Sequence, residues 1–332
     1  MADKPKFAIY WLGACGGCDQ SIVDLNEVLL QLADQVEFVL WPLAMDFKYD
    51  HIRALPDRAI ALCVLHGCVR NSEHLAMARL LRAKSRLVLA FGSCACFGGT
   101  PALANFRSRR DILDWVYRDA PTVDNPEDTR PQTCTEVDGM RLTLPEFFDH
   151  VYPLPQVIDV DYTLPGCPPP IDLIGAALHA LLAGKLPPKG YALAPQKALC
   201  DVCARNRSKP YRMEITEIRR VHEIEVDPDT CFLAKGVLCL GPATRAGCGQ
   251  TCLQTNTPCR GCFGPVAGVE DGGGRFLAAL ATLLQADGFD DIQRVIERLD
   301  DPAGYFYRFT QACSILGRQP LQEPEHDPED HD

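Results

Sequence analysis

Seventeen of the 332 residues are cysteines, and their spacing carries the chemistry of this sequence. A thiolate is a nucleophile, a disulfide partner or a soft metal ligand. Cys15 and Cys18 form a C-x-x-C pair, Cys94 follows after 75 intervening residues, and Cys167 after another 72. Eight more fall in the 63 residues from 200 to 262: Cys200, Cys203, Cys231, Cys239, Cys248, Cys252, Cys259 and Cys262. The odd total forbids complete pairing within the chain. Disulfide frameworks belong to short secreted chains, and this one is long. The opening MADKPKFAIYWLG shows no charged stretch leading into an apolar core and a small-residue cleavage site. The pairs Arg109-Arg110 and Arg219-Arg220 are internal, so neither reads as a twin-arginine export signal. These features imply a reducing compartment, where cysteines act as metal ligands or catalytic groups.

Thiolates suit zinc and iron–sulfur clusters. Structural zinc uses two compact pairs close together in sequence. The set Cys15, Cys18, Cys94 and Cys167 is instead assembled by a fold. The eight later cysteines suffice for two four-thiolate sites, and an iron–sulfur cluster takes four thiolates. Few histidines lie near, which argues against mixed zinc sites. Twelve cysteines thus suggest three cubanes. A zinc-stapled structural protein remains the alternative, and any one cysteine taken singly reads as a small buried hydrophobe.

The elements that must position these residues follow from periodicity. Residues 6–12, 36–41, 59–65 and 86–91 read as buried strands, and 157–160 as a fifth. Residues 21–34, 73–84, 111–119 and 171–183 read as helices, and the polar stretch 120–138 as loop. Such alternation predicts a doubly wound, mostly parallel sheet. Ligands then bind beyond the carboxyl ends of the strands, where the loops of Cys15, Cys18, Cys94 and Cys167 lie. From residue 187 the texture changes. Gly and Pro are dense among the eight cysteines, and the segment is expected to have little core of its own. Residues 275–286 and 291–299 read as amphipathic helices, with Gly272-Gly273-Gly274 as a loop before the first. The division is therefore 1–186, 187–318 and an acidic disordered tail, 319–332.

The net charge is −11, and the last fourteen residues hold six acids and no Lys or Arg. Subtracting those six leaves −5, an ordinary value. No basic stripe argues for nucleic-acid binding. The most apolar helix, 171–186, is too short to span a bilayer and contains Asp172 and His179. A chain without a transmembrane segment is expected.

The motifs then resemble a known family. Trp11-Leu12-Gly13-Ala14-Cys15-Gly16-Gly17-Cys18-Asp19 resembles the opening motif of [NiFe] hydrogenase small subunits. Gly92-Ser93-Cys94-Ala95-Cys96-Phe97-Gly98-Gly99 resembles their G-x-C-A-x-x-G-G, and Pro165-Gly166-Cys167-Pro168-Pro169 their fourth-ligand loop. The run from Cys231 through Gly236, Cys239, Gly241, Pro242 and Thr244 to Cys248 resembles the segment joining the two outer clusters. Cys259-Arg260-Gly261-Cys262 resembles the closing C-x-G-C pair. The resemblance spans about 6–265, in the family's order, and within the family it is to the cytoplasmic, methyl-viologen-reducing (F420-non-reducing) type associated with heterodisulfide reductase.

The resemblance implies a flavodoxin-like first domain and a small irregular iron–sulfur domain with C-terminal helices. It implies a proximal cluster on Cys15, Cys18, Cys94 and Cys167, a medial one on Cys248, Cys252, Cys259 and Cys262, and a distal one on Cys200, Cys203, Cys231 and Cys239. Cys200 stands where many relatives have His. Cys252 stands where many lack a fourth thiolate and hold a three-iron cluster, so all three clusters here are expected as [4Fe-4S]. The Cys231–Cys239 gap is longer than usual. The chain itself is expected to hold no catalytic residue. It would relay electrons between the nickel–iron site of a large subunit and a further iron–sulfur or flavin redox subunit. A quinone-oxidoreductase cluster subunit shares the first cluster domain but leaves the eight later cysteines unexplained. Of the remaining cysteines, Cys63 reads as core, Cys96 sits beside Cys94, and Cys134 and Cys313 have no assigned role. Cys68 reads as a bystander thiol, with the hypothesis that it or His66 tunes the proximal potential. Asp19, which follows Cys18, reads as a solvated loop acid, with assistance of proton exit near the large-subunit interface as the alternative.

Overall fold

The computed structural model describes residues 4–285 and 288–317; the acidic tail expected at 319–332 lies outside the described residues. Nine strands occur among them: β1 Lys6–Trp11, β2 Glu37–Leu40, β3 Ile60–His66, β4 Val69–Asn71, β5 Ser85–Phe91, β6 Cys134–Val137, β7 Met140–Thr143, β8 Phe147–Tyr152 and β9 Tyr162–Leu164. Five form one parallel sheet, ordered β2-β1-β3-β5-β9. Taken as first to fifth, this is the 2-1-3-4-5 order of flavodoxin-like sheets, whose switch point lies between β1 and β3.

The alternation of β1 shows why the sheet is buried on both faces. Ala8, Tyr10 and Leu12 enter one core with Leu75, Ala78 and Leu81 of the helix Ser72–Lys84. Phe7 and Ile9 enter the other with Ile22, Leu32, Leu164 and Ile174. Side chains of successive strand residues point to opposite faces, so the nearly continuous apolar runs seen in sequence are what a sheet covered on both sides needs.

Several expected elements are corrected. The fifth strand lies at Tyr162–Leu164, not 157–160. Leu154–Gln156 is a 3₁₀ turn that carries Val157 and Ile158 along with it, and pairing starts only after Asp161, whose N–H bonds the Val88 carbonyl. The helix expected over 21–34 is two, Gly17–Val23 and Glu27–Gln35, separated where Asn26 takes φ +50°. The stretch 120–138 is not all loop. β6 and β7 form a hairpin turning on Asp138 and Gly139, at φ +52° and +76°. Asp-Gly is the dipeptide that such turns favour, so the clue was present.

Beyond the sheet, the cysteine-rich region does have its own core. Leu199, Ile215, Phe232, Leu238 and Leu253 pack with Phe276, Leu280 and Phe306 from the later helices. Gly272-Gly273-Gly274 is the first turn of the helix Gly272–Leu283, capped by the Asp271 carboxylate on the Gly274 N–H. A Cβ on Gly273 would stand 2.6 Å from the Tyr307 ring. Close helix packing, not loop flexibility, explains the glycine. The helices Phe289–Glu297 and Pro302–Phe306 complete this group.

Candidate metal centres

The first four cysteines of interest follow parallel strands. Cys15 and Cys18 lie just past β1, where Gly16, at φ +88°, turns the chain into Gly17–Val23. Cys94 lies in the short helix Gly92–Phe97 after β5, and Cys167 follows β9. Ser93 N–H bonds the Gly166 carbonyl at 2.7 Å and ties the last two loops together. Burial pushes the Cys18 thiol up to about 12, with Cys167, Cys15 and Asp19 adding to it. Burial also lifts Cys94, reinforced by Cys68, Cys167, Cys18 and Cys15. Burial and then Cys15 raise Cys167. Cys18, Cys94 and Cys167 thus each lie in the field of neighbouring thiols, and a cation among them would favour their thiolates.

Two glycines open this cradle. A Cβ on Gly92 would stand 2.4 Å from the Cys18 sulfur, and one on Gly99 2.5 Å from the Cys94 sulfur. Both have positive φ, +83° and +60°.

Cys200, Cys203, Cys231 and Cys239 line a single small cavity. Gly241 floors it, where a Cβ would come within 3.1 Å of the Cys200 sulfur. Burial pushes Cys200 up to about 12, against the pull of Lys209 and with Cys239, Cys231 and Cys203 adding to the rise. Arg205 braces the wall: its guanidinium donates to the carbonyls of Asp227, Thr230 and Leu253 and to Asn256, and stacks over Phe232.

The third set lies between. Burial pushes Cys262 up to about 12, and Cys248, Cys167 and Cys252 reinforce it. Cys259 rises through burial and then Cys239, offset by hydrogen bonding with the Gly261 backbone and the Thr244 side chain, with Cys262 adding. Cys262 thus faces the first set through Cys167, and Cys259 faces the cavity set through Cys239. The Ser93 hydroxyl donates to the Cys262 carbonyl. Among the described residues, no three Cys, His, Asp or Glu side chains converge on a point fit for a single ion. Sulfur donors in fours, in glycine-lined cradles, fit polynuclear iron–sulfur groups.

Residues 15–181 match the family model of the NADH ubiquinone oxidoreductase 20 kDa subunit. Across nearly the whole chain the likeness is to hydrogenases. The chain is 37% identical to the iron–sulfur subunit of the F420-non-reducing hydrogenase of Archaeoglobus profundus, over 95% of this chain and 98% of that one. The chain belongs to the small subunits of F420-non-reducing [NiFe] hydrogenases. It is also 35% identical to the matching subunit of the F420-non-reducing hydrogenase of Methanothermobacter thermautotrophicus, over 95% and 97% of the two chains. The [NiFeSe] hydrogenase structure from Desulfovibrio vulgaris Hildenborough shares the fold, with a TM-score of 0.51 and 16% identity over 80% of this chain and 95% of that one.

As a hydrogenase small subunit, the chain is the electron-transfer part of an oxidoreductase, works with a large subunit, and belongs to proteins that carry iron–sulfur clusters. The eight cysteines from 200 to 262 lie outside the stretch shared with the quinone-linked family. No described helix is long and apolar enough to cross a membrane.

One expectation for this small subunit is overturned. Asp19 is not solvated: it is 2% exposed, accepts from Trp41 Nε1 at 3.0 Å and lies 3.1 Å from His66 Nε2. The helix Gly17–Val23 turns it inward with Ser21 and Ile22, and only the sheet order brings Trp41 and His66 to it. Cys68 is buried, donates to the Gly13 carbonyl at 3.1 Å, and belongs to a small cluster that Cys94 packs against. Cys63 is core, as expected. Cys96 is buried and donates to the Ala90 carbonyl at 3.3 Å. Cys134 is exposed on β6 beside Arg141, and Cys313 donates to the Thr310 carbonyl.

Proposed function

We propose that this small subunit holds three [4Fe-4S] clusters in a row. Cys15, Cys18, Cys94 and Cys167 hold the proximal one, Cys248, Cys252, Cys259 and Cys262 the medial one, and Cys200, Cys203, Cys231 and Cys239 the distal one. Bound there, such clusters supply one-electron conduction between the nickel–iron site of the large subunit and a further redox partner. The observation that carries the reading is the pair of hydrogen bonds between sets, from the Ser93 hydroxyl beside Cys94 to the Cys262 carbonyl and from the Cys259 N–H to the Cys239 sulfur. They support the order proximal, medial, distal.

The protein's own part is placement and exclusion of water. Cys15 and Cys167 are exposed beside the exposed Trp11 and Ile171, an open face suited to the large subunit. Cys231 and Cys239 are buried, and Arg205 keeps their cavity in shape. Residues 1–186 act as the proximal-cluster domain and 187–318 as the two-cluster domain. The partner beyond the distal cluster is a further iron–sulfur or flavin subunit, linked to heterodisulfide reductase, in the cytoplasm.

Iron and acid-labile sulfide counts on the purified complex test this. About twelve of each per small subunit are expected, four per four-thiolate cubane. About eight of each would overturn the three-cubane assignment.

A further inference from the structure

Arg70 is 7% exposed, yet both terminal nitrogens of its guanidinium lack a hydrogen-bond partner. The group lies 4.4 Å from the centroid of the Phe147 ring, which cushions a cation without neutralising it. The ionisable groups facing it are Cys68, Asp149, Arg109 and Tyr152. Arg109 adds a like charge. Asp149 already accepts from the Arg109 N–H at 2.7 Å and lies 3.5 Å from His150 Nδ1. Asp149 is the one carboxylate among these groups, and its half-buried side chain is screened by water; a buried cation is better tolerated where further negative charge stands near.

The extended backbone points to that negative partner. Cys68 and Arg70 are two residues apart in a stretch that pairs irregularly with β8, and both meet that strand, Cys68 packing with Val151 and Arg70 lying over Phe147. Cys68 packs with Ala102, Val151 and Ala312 in the cluster that Cys94 touches. A file therefore runs from the unpartnered guanidinium through Cys68 to Cys94.

We propose that Arg70 is the buried counter-charge of the proximal cluster, raising its midpoint potential by favouring the reduced form. The inference rests on the reading that Cys15, Cys18, Cys94 and Cys167 hold that cluster. A four-thiolate cubane is anionic and gains one more negative charge on reduction. A fixed cation in a low-dielectric surround stabilises the more negative form more strongly. Cys68 is the spacer in this arrangement, and Arg70 acts through the field without ligating.

The test is a redox titration of the intact hydrogenase complex, followed by electron paramagnetic resonance, with Arg70→Met, Arg70→Gln and Arg70→Lys. The neutral variants are expected to lower the proximal midpoint by a tenfold change in the oxidised-to-reduced ratio or more, about 59 mV for one electron. Lys is expected to retain most of the wild-type value, with the other two clusters unmoved. Neutral variants that keep all clusters and an unshifted proximal midpoint overturn the proposal. So does a Lys variant that shifts as far as Met. If neither neutral variant keeps its proximal signal, retention of that signal in Lys supports the charge role, and its loss there overturns it. A wild-type complex without any proximal signal overturns the cluster reading itself, a failure visible before any variant is made.

Discussion

The backbone N–H of Cys259 donates to the sulfur of Cys239 at 3.3 Å. The two residues are twenty apart in sequence and belong to different four-cysteine sets. A hydrogen bond to a thiolate sulfur stabilises its charged form, so this contact ties the two cysteines together and favours the Cys239 thiolate. Cys239→Ala is expected to remove about four irons, one cubane's complement, with a single cluster spectrum lost and hydrogen-dependent dye reduction slowed. Iron analysis with paramagnetic resonance checks it. Full iron in the variant would show that Cys239 is not a ligand.

Gly92 and Gly99 are held at positive φ with sulfur where a side chain would go. Alanine there adds a left-handed backbone cost of about 1–2 kcal/mol and displaces Cys18 or Cys94. Gly92→Ala is expected to lose the proximal cluster selectively. Assembly with the large subunit and a normal proximal spectrum in this variant would contradict the cradle geometry.

Asp19 is the buried acceptor of Trp41 Nε1 and the neighbour of His66. Asp19→Ala leaves buried polar groups unpaired, at about 1–3 kcal/mol for each. Thermal unfolding of the complex should shift down by several degrees. An unchanged midpoint temperature would mean that water replaces the carboxylate.

Cys68 stands beside Cys94 with its thiol donated to Gly13. Cys68→Ala is expected to shift the proximal midpoint, because hydrogen bonds and polarity near the sulfurs set it. An unmoved proximal potential in a redox titration would support the bystander reading of Cys68.

Asp161 links β5 to β9. Burial, which raises its carboxyl, is outweighed by Lys189, Arg82 and the Val88 N–H, so it lies below the ordinary value. Arg82 donates at 2.6 Å and the Val88 N–H at 2.8 Å. A lowered carboxyl stabilises the fold above the unfolded value, about 3.9, and that contribution fades as pH falls through the folded value. Asp161→Asn should therefore lower stability at neutral pH and flatten its loss in acid. Denaturant unfolding at pH 7 and in acid checks both halves. Parallel curves for variant and wild type would remove the carboxylate from the account.

Much of the molecule was legible in the order of its residues. Apolar runs ending in Gly and Cys marked strand ends, and a parallel sheet places all such ends on one edge, so the first four cysteines pointed to a common edge. The C-x-x-C pair, the spaced single cysteines and the dense later group were enough to indicate polynuclear metal chemistry and the hydrogenase resemblance. Local signals also failed in understandable ways: Asp138-Gly139 marked a turn inside apparent loop, and the triple glycine answered to the Tyr307 ring and not to flexibility.

What only the tertiary structure decided is who faces whom. Residues close in space here are far apart in the chain: Asp19 with Trp41 and His66, Cys259 with Cys239, Cys262 with Cys167, Arg70 through Cys68 with Cys94. Periodicity reports which face a side chain takes on its own element. Strand order and the packing of irregular turns determine what lies opposite, and these depend on the summed burial of many distant side chains. Seventeen cysteines in sequence are a stock of ligands; the tertiary structure brings Cys15, Cys18, Cys94 and Cys167 to one sheet edge and Cys200, Cys203, Cys231 and Cys239 around one cavity beside Arg205.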